Sequence, residues 1–307
     1  MKKKIILTLM CVFLLTGCTK NFQIEDKETK EKSTYVSNIL CKPETDEMKD
    51  IYVNSEDELK KVGVDYEKLP QCSDFKITSG KYEGLWTSLF VKPLAWIIIK
   101  IGLLIKSNGF AIMLVGLLLR ALLLPMSIKS TKMSENMNKA QKDLNRLESK
   151  YKGKDDQESM MAKSQEMMMI YKKYDINPLS SCLFSFLQLP LFFAFLEAVY
   201  RVPAFFENKF LGVFHLGTTP LEGLKAGNYW YLILIILILG ATYFSFKNMN
   251  AATGDANQQQ QMKMMSIFMV IFIGIASFSL KTSIALYWIV SNGFTIIQNL
   301  ILKKGKL

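Results

Sequence analysis

One arginine stands inside "AIMLVGLLLRALLLPM": Arg120 has only apolar neighbours for nine residues before it and six after. A guanidinium facing lipid at such depth costs about 2–3 kcal/mol or more, so it turns to a bundle interior or to water, or snorkels toward headgroups. Polar groups in other apolar stretches bear on the choice. Gln188 lies in one, and Ser291, Asn292, Thr295 and Gln298 lie in another. Ser291, Thr295 and Gln298 follow at steps of four and three and share a helical face, with Asn292 beside it. A single polar residue per helix is packing glue. An arginine with a polar stripe argues for a wetted cavity open to the cytoplasm, prepared to receive something negative. The nearest membrane carboxylate, Glu197, sits toward the far end of its helix.

Other chemistry is thin. His215 is the one histidine, with no carboxylate or thiol constellation around it, and reads as a satisfied or interfacial group. No serine–histidine pairing, metal-ligand spacing or P-loop is present, so neither an enzyme nor a nucleotide-driven machine is indicated, and no cofactor is expected. Cys182 reads as a small apolar residue. Cys41 and Cys72 either pair or remain two free thiols.

The elements that must hold Arg120 are long apolar blocks at 109–128, 179–199, 229–246, 264–280 and 282–302 of the 307 residues. Most approach the ~20 residues a helix needs to cross a bilayer. The expected fold class is therefore all-α: a polytopic membrane bundle of five transmembrane helices. Ahead of it, "MKKKIILTLMCVFLLTGC" has the layout of a secretory signal over 1–17, ending at Cys18 in a lipobox-like tetrad that predicts lipidation there. Residues 18–80 are polar, with 14 acidic and 10 basic groups. "NFQIEDKETKEKSTY" within them reads as tether, and a turn or two of helix capped by Ser55 is expected further on.

Residues 81–107, with Trp86 and Trp96 near the start and Lys92, Lys100 and Lys106 interrupting them, predict an amphipathic helix lying in the interface. The "SNG" at 107–109 breaks it. Spans follow at 108–128 (TM1), 178–201 (TM2), 229–247 (TM3), 262–280 (TM4) and 282–302 (TM5). An external loop covers 202–228, a cytoplasmic loop 248–261, and the basic tail 303–307 is cytoplasmic by parity and by charge. Entering from outside, Arg120 lies roughly 16 Å down the first span, past the midplane. Residues 129–177 carry 11 basic and 8 acidic side chains, a net +3, and predict a cytoplasmic helical hairpin turning at "KGKDD". Met133, Met137, Leu144 and Leu147 line one arm and Met160, Met161, Met167, Met168 and Ile170 the other. These methionines either seal the seam or offer an adaptable contact surface.

The landmarks in order are "NGFAIMLVGLLLRALLLPM", "MMMIYKKYDINPLSSCLFSFLQLPLFFAFLEAVY", "QMKMMSIFM" and "ALYWIVSNGFTIIQN". With this spacing, residues 82–302 resemble the YidC family of membrane protein insertases, in the lipoprotein-type form of Gram-positive and related bacteria. The resemblance implies a chaperone and insertase of the bacterial cell membrane with a groove open to cytoplasm and lipid. Arg120 would be the groove arginine. Gln188 and Pro190 match a Q-x-P pattern that lines or shapes the groove, and Tyr287, Trp288, Ser291 and Asn292 match a motif of client contact or helix packing. Client helices would slide along TM2 and TM5. The implied partners are nascent membrane protein clients and anionic lipids, with the Sec translocon and the ribosome open as further ones, and a monomer suffices. A secondary transporter for a small anionic solute is the rival reading; it would want repeated halves or broken helices at the midplane.

Overall fold

The computed structural model describes residues 21–25, 30–154, 156–249 and 256–303. Cys18 and the tail 304–307 lie outside them. The first described elements are two paired strands, β1 (Asn21–Glu25) and β2 (Lys32–Val36), antiparallel with Asn21 opposite Val36. Helices α1 (Asp46–Val53) and α2 (Glu56–Lys61) follow. Next come a π-helical turn at Thr87–Val91, α3 (Lys92–Ile105), α4 (Asn108–Leu122), α5 (Leu124–Lys150) and α6 (Gln157–Lys173). After α7 (Pro178–Tyr200) lie a 3-10 turn (Pro203–Phe206), a two-residue hairpin of β3 (Lys209–Phe210) and β4 (Phe214–His215), and α8 (Pro220–Lys225). Three helices complete the chain: α9 (Tyr231–Met249), α10 (Ala256–Ser277) and α11 (Thr282–Lys303). Among the described residues, the π-helical turn taken with α3 (Thr87–Ile105) and α11 (Thr282–Leu302) pass as spans by length and apolarity, and α4 with α5 passes if that bent pair is one span.

The described residues of the segment read as a tether are folded. Glu31, Ser33, Tyr35 and Val36 are buried, because β2 meets partners about two hundred residues away. The Asn228 amide donates to Glu31 Oε1 at 2.9 Å and the Tyr231 hydroxyl to Oε2 at 3.2 Å. The Ser33 hydroxyl meets His215 Nδ1 at 2.9 Å and Thr218 Oγ1 at 2.7 Å. His215 is thus a satisfied histidine. Cys41 and Cys72 form a disulfide, which closes the alternative of free thiols, and both are buried. Ser55 stands at the N-cap of α2, but its side chain makes no capping bond.

The expected break at 107–109 is made one residue earlier. Lys106 adopts φ 53° and Ser107 is extended, while Asn108 and Gly109 are already helical. Gly109 permits a close approach, since a Cβ there would fall 2.2 Å from the Phe210 ring. A second break divides the segment expected as one helix over 108–128. The chain bends by 58° between α4 and α5, with Pro125 in the first turn of α5. A proline fits that place because its absent N–H has no intrahelical partner there anyway.

Helices α5 and α6 pack as a hairpin. Three of the four α6 methionines named from sequence do not seal the seam, while Met167 is half-buried. Met160, Met161 and Met168 are 61%, 59% and 60% exposed, and none of the residues of α6 whose burial is described is fully buried. Charges close it instead: Lys163 pairs with Glu148 at 2.8 Å, Lys173 with Asp143 at 2.6 Å, and Lys150 with Glu166. The hydroxyl of Tyr174 also donates to Asp143 at 3.0 Å. Ala140 and Leu147 of α5 are buried. In the connection expected at 248–261, the polar run from Ala256 is helical rather than loop, as its glutamine and methionine content favours.

Candidate functional site

Arg120 occupies the last turn of α4. There the unpaired carbonyls of the helix end carry partial negative charge and favour a cation, a benefit that the sequence hid by running on apolar to residue 126. Its Nε donates to Ser291 Oγ on α11. With the Gln188 amide oriented so that its oxygen faces the guanidinium, that oxygen accepts from Nη1 at 3.2 Å and Nη2 at 3.0 Å. The guanidinium therefore bridges α4, α7 and α11 through neutral acceptors.

The backbone permits this approach because Gly116, one turn earlier, faces α11. A Cβ there would come 2.8 Å from Tyr287 Cδ2. Tyr287 is buried, its ring centroid 4.5 Å from Phe195 and 5.7 Å from Phe192, and Trp288 lies 6.2 Å from Phe192. These four rings join α7 to α11 directly outside the arginine. The Trp288 indole donates to Thr242 on α9 at 3.1 Å.

The remaining members of the polar stripe divide. Asn292 donates to the Trp288 carbonyl at 2.9 Å and Thr295 to the Ser291 carbonyl at 3.1 Å, both within α11. Gln298 is buried and hydrogen-bonded to Ser127 in the first turn of α5, at 2.7 and 2.9 Å for its two amide atoms. Of the α11 residues named from sequence, Ser291 reaches Arg120 and Gln298 makes a helix-to-helix tie. Ser127 and Thr242 escaped notice because an isolated hydroxyl in an apolar helix carries no periodic signal. Pro190 lies inside α7, two residues beyond Gln188.

A cavity of about 10 Å³ adjoins Arg120, lined also by Leu119, Leu123, Gln188, Leu191, Phe192 and Tyr287. That is room for about one water. A larger one, about 340 Å³, lies among Glu44, Ser73, Gly102, Lys106, Asn108 and Phe210. It shares no residue with the recess, and we place the functional site at the arginine on chemistry rather than size.

The opposite ends of the helices are capped. Arg201, buried just beyond α7, donates to the Asn38 carbonyl at 2.6 Å, to Glu197 at 3.0 Å and to Glu83. Trp86 donates to the other Glu197 oxygen at 2.9 Å. Lys281, in the turn between α10 and α11, donates to the Thr34 carbonyl and lies 4.3 and 4.7 Å from the Tyr200 and Phe206 ring centroids. Burial depresses its basicity, and the two ring faces oppose that shift. Tyr231 is fully buried beneath this cap, whereas Tyr229 and Trp230 are exposed. Helix α3 touches the cap along its length: Lys92 donates to the carbonyls of Ser79 and Lys81 at 2.7 and 3.0 Å, and Lys100 to that of Ser73 at 3.1 Å.

Apolar helices, a cap on one end and a lone arginine among neutral acceptors define a polytopic helical membrane protein with a polar recess between its helices. The 60Kd inner membrane protein family model matches residues 100–307. The chain is 37% identical over 224 residues to "Membrane protein insertase YidC 2" of Bacillus anthracis, covering 73% of this chain and 83% of that protein. It is 34% identical over 248 residues to "Membrane protein insertase MisCA" of Bacillus subtilis, covering 80% and 89%. Its fold is similar to that of a solved structure, "Active YidC insertase crystal structure with the first transmembrane domain resolved", with TM-score 0.51 and 23% identity. That likeness covers 74% of this chain and 48% of the other, so the chain matches about half of that larger protein. The chain belongs to the YidC/Oxa/Alb family.

Proposed function

We propose that this chain is a non-catalytic insertase and chaperone of the bacterial membrane, accepting the polar tail of a nascent membrane protein at Arg120 while the client's apolar helix moves along α7 and α11. The observation that carries this reading is the bonding of Arg120, whose partners Ser291 and Gln188 are both neutral. A cation held without a resident counter-charge attracts a client carboxylate, and neutral acceptors orient the guanidinium without cancelling its charge. The recess replaces part of the hydrocarbon barrier with polar side chains, which lowers the cost of desolvating a polar tail. Lipid burial of the client's apolar helix then drives completion.

Several features support an orientation with the cap outside and the hairpin in the cytoplasm. The Arg201 and Lys281 contacts draw the outer helix ends together, which fits a recess closed on that face. Trp86, just ahead of the π-helical turn that leads into α3, bonds Glu197 at the end of α7, and α3 stays bonded to the cap and ends where α4 begins. That geometry favours α3 lying along the outer interface, leaving α4 (with the start of α5), α7, α9, α10 and α11 as five spans. Lipidation of Cys18 would tether the cap to the same leaflet. Anionic lipids suit the net positive hairpin.

Liposomes containing this protein as their sole protein component, given a short single-span client with an acidic tail, test the reading. Protease protection of the client tail is the expected result. Anion uptake without client insertion would instead establish a transporter.

A further inference from the structure

The larger cavity, about 340 Å³, lies on the capped side of the molecule, where the end of α3 and the start of α4 meet β3 and the disulfide-bonded segment. Its volume falls within the range of small-ligand sites. Phe205 and Leu216 give it a buried apolar floor, and its rim is charged, with Glu44, Lys106, Glu207 and Lys209.

The walls are fixed without a ligand. The disulfide joins Cys41 to Cys72, which lines the cavity. Glu44 accepts from the Ser73 N–H at 2.9 Å, and Glu207 accepts from the backbone N–H groups of Glu44 and Thr45. The Asn108 amide ties the first turn of α4 to the Ala204 carbonyl at 2.7 Å. These bonds use one oxygen of each carboxylate. The second oxygen takes no hydrogen bond from a described residue, and neither acid forms an ion pair with a described lysine or arginine. The Lys106 ammonium also has no partner among the described residues. Two adjoining carboxylates and a lysine therefore border one cavity with their charges unspent.

The residues outside the rim say what it faces. Leu103, Leu104 and Ile105 in the last turn of α3 and Phe110 in the first turn of α4 are exposed, Leu104 at 81%. With α3 along the interface, these side chains lie at the edge of the hydrocarbon and the cavity opens among the headgroups. Leu103 belongs to both regions, because it lines the cavity and is half exposed. A ligand matched to this border brings acyl chains to the leucines and both signs of charge to the rim. A purely anionic headgroup would suit Lys106 and set its charge against Glu44 and Glu207, whereas a phosphate joined to an ammonium answers all three.

We propose that this cavity is a headgroup site for an aminophospholipid of the leaflet beside the cap. The phosphate meets Lys106, the ammonium meets Glu44 and Glu207, and the chains cover Leu103 and Phe110. Bound in this way, the lipid clips the cap to the start of α4. The inference rests on the interfacial placing of α3 proposed above and is independent of the recess at Arg120.

The test uses the full-length protein in nanodiscs of an equal mixture of phosphoethanolamine and phosphoglycerol lipids. A trace of either lipid, with a diazirine on its acyl chain, is photolysed, and crosslinks to residues 101–120 are compared with those to exposed Ile236 and Leu237 on α9. The ethanolamine lipid should exceed the glycerol lipid about fivefold at 101–120, a factor in keeping with partly exposed charge pairs, and match it on α9. Glu44→Gln with Glu207→Gln keeps an acceptor oxygen for each backbone N–H and should abolish the preference. Lys106→Gln should lower both yields alike, since both lipids carry the phosphate. Soluble glycerophosphoethanolamine, equimolar with the lipid, should not compete; displacement by it would assign the cavity to a soluble ligand and overturn the lipid. Equal yields in the unaltered protein, a preference for the glycerol lipid, or a preference that survives the glutamine pair also overturns the proposal. A diazirine at the start of the chain should label Ile97 in the middle of α3 as well as Leu104 if that helix lies in the interface, and Leu104 alone if it spans. The placing of α3 is thereby read apart from the headgroup preference, and neither readout needs a client.

Discussion

Replacing Arg120 separates charge from geometry at the recess. The guanidinium supplies a unit positive charge and three donor contacts, one to Ser291 and two to Gln188. A client carboxylate arriving at about 8 Å, across an effective dielectric near 20, gains about 2 kcal/mol from the charge. That is roughly a thirtyfold factor in rate if the attraction acts in the limiting step. Arg120→Ala should therefore slow insertion of an acidic-tailed client by about thirtyfold and leave a client with a neutralised tail far less affected. Arg120→Lys keeps the charge but cannot reach both Ser291 and Gln188 with a planar fork, so it should restore most of the acidic client's rate at a reduced melting temperature. Initial rates of protease protection, measured for paired clients in liposomes with each variant, read both effects. Equal slowing of acidic and neutral clients would refute the electrostatic argument and leave Arg120 as a packing bolt between three helices.

Three further expectations concern the cap and the hairpin. Arg201→Ala strips a buried partner from Glu83 and Glu197; both carboxylates are about a third exposed, so the loss should be near the low end for a broken buried pair, about 3 kcal/mol, read as earlier thermal unfolding of the cap. Changing Cys41 and Cys72 to serine opens a loop with a sequence separation of 31, which loop entropy values at about 3–4 kcal/mol. Proteolysis between α1 and the disulfide's second half should become rapid in that variant, and unchanged resistance would contradict the estimate. Asp143, hydrogen-bonded by Lys173, and Glu166, hydrogen-bonded by Lys150, both titrate below their unfolded values of 3.8 and 4.5. Their contribution to the hairpin is thus present above those values and is lost as pH falls through the lowered folded ones. Spin labels on α5 and α6 should report a hairpin that separates only as pH falls below the ordinary carboxylate range, and Glu166→Gln should loosen the nearby tie already at pH 7.

Long apolar blocks without charge permit only helices in a bilayer, because every backbone N–H and C=O must find its partner within the segment. That rule made α7, α9, α10 and α11 legible from sequence, along with the oddity of Arg120, since one guanidinium among sixteen residues needs no fold to be conspicuous. The face shared by Ser291 and Gln298 followed from helical repeat alone.

Tertiary structure decided what periodicity cannot encode. The strand at Lys32–Val36 looks like tether because its partners, His215, Thr218 and Lys281, are distant in sequence and meet it only once the helices are packed. The exposed α6 methionines look like a seam because an apolar residue's period does not say which of two available surfaces it faces. The bend at Leu123 leaves almost no trace in composition, Pro125 excepted. Yet it separates the arginine's helix from the first arm of the hairpin and puts Ser127 opposite Gln298. Hydropathy determines that a helix forms; where it breaks, and what its polar atoms then touch, depends on neighbours supplied by the rest of the chain.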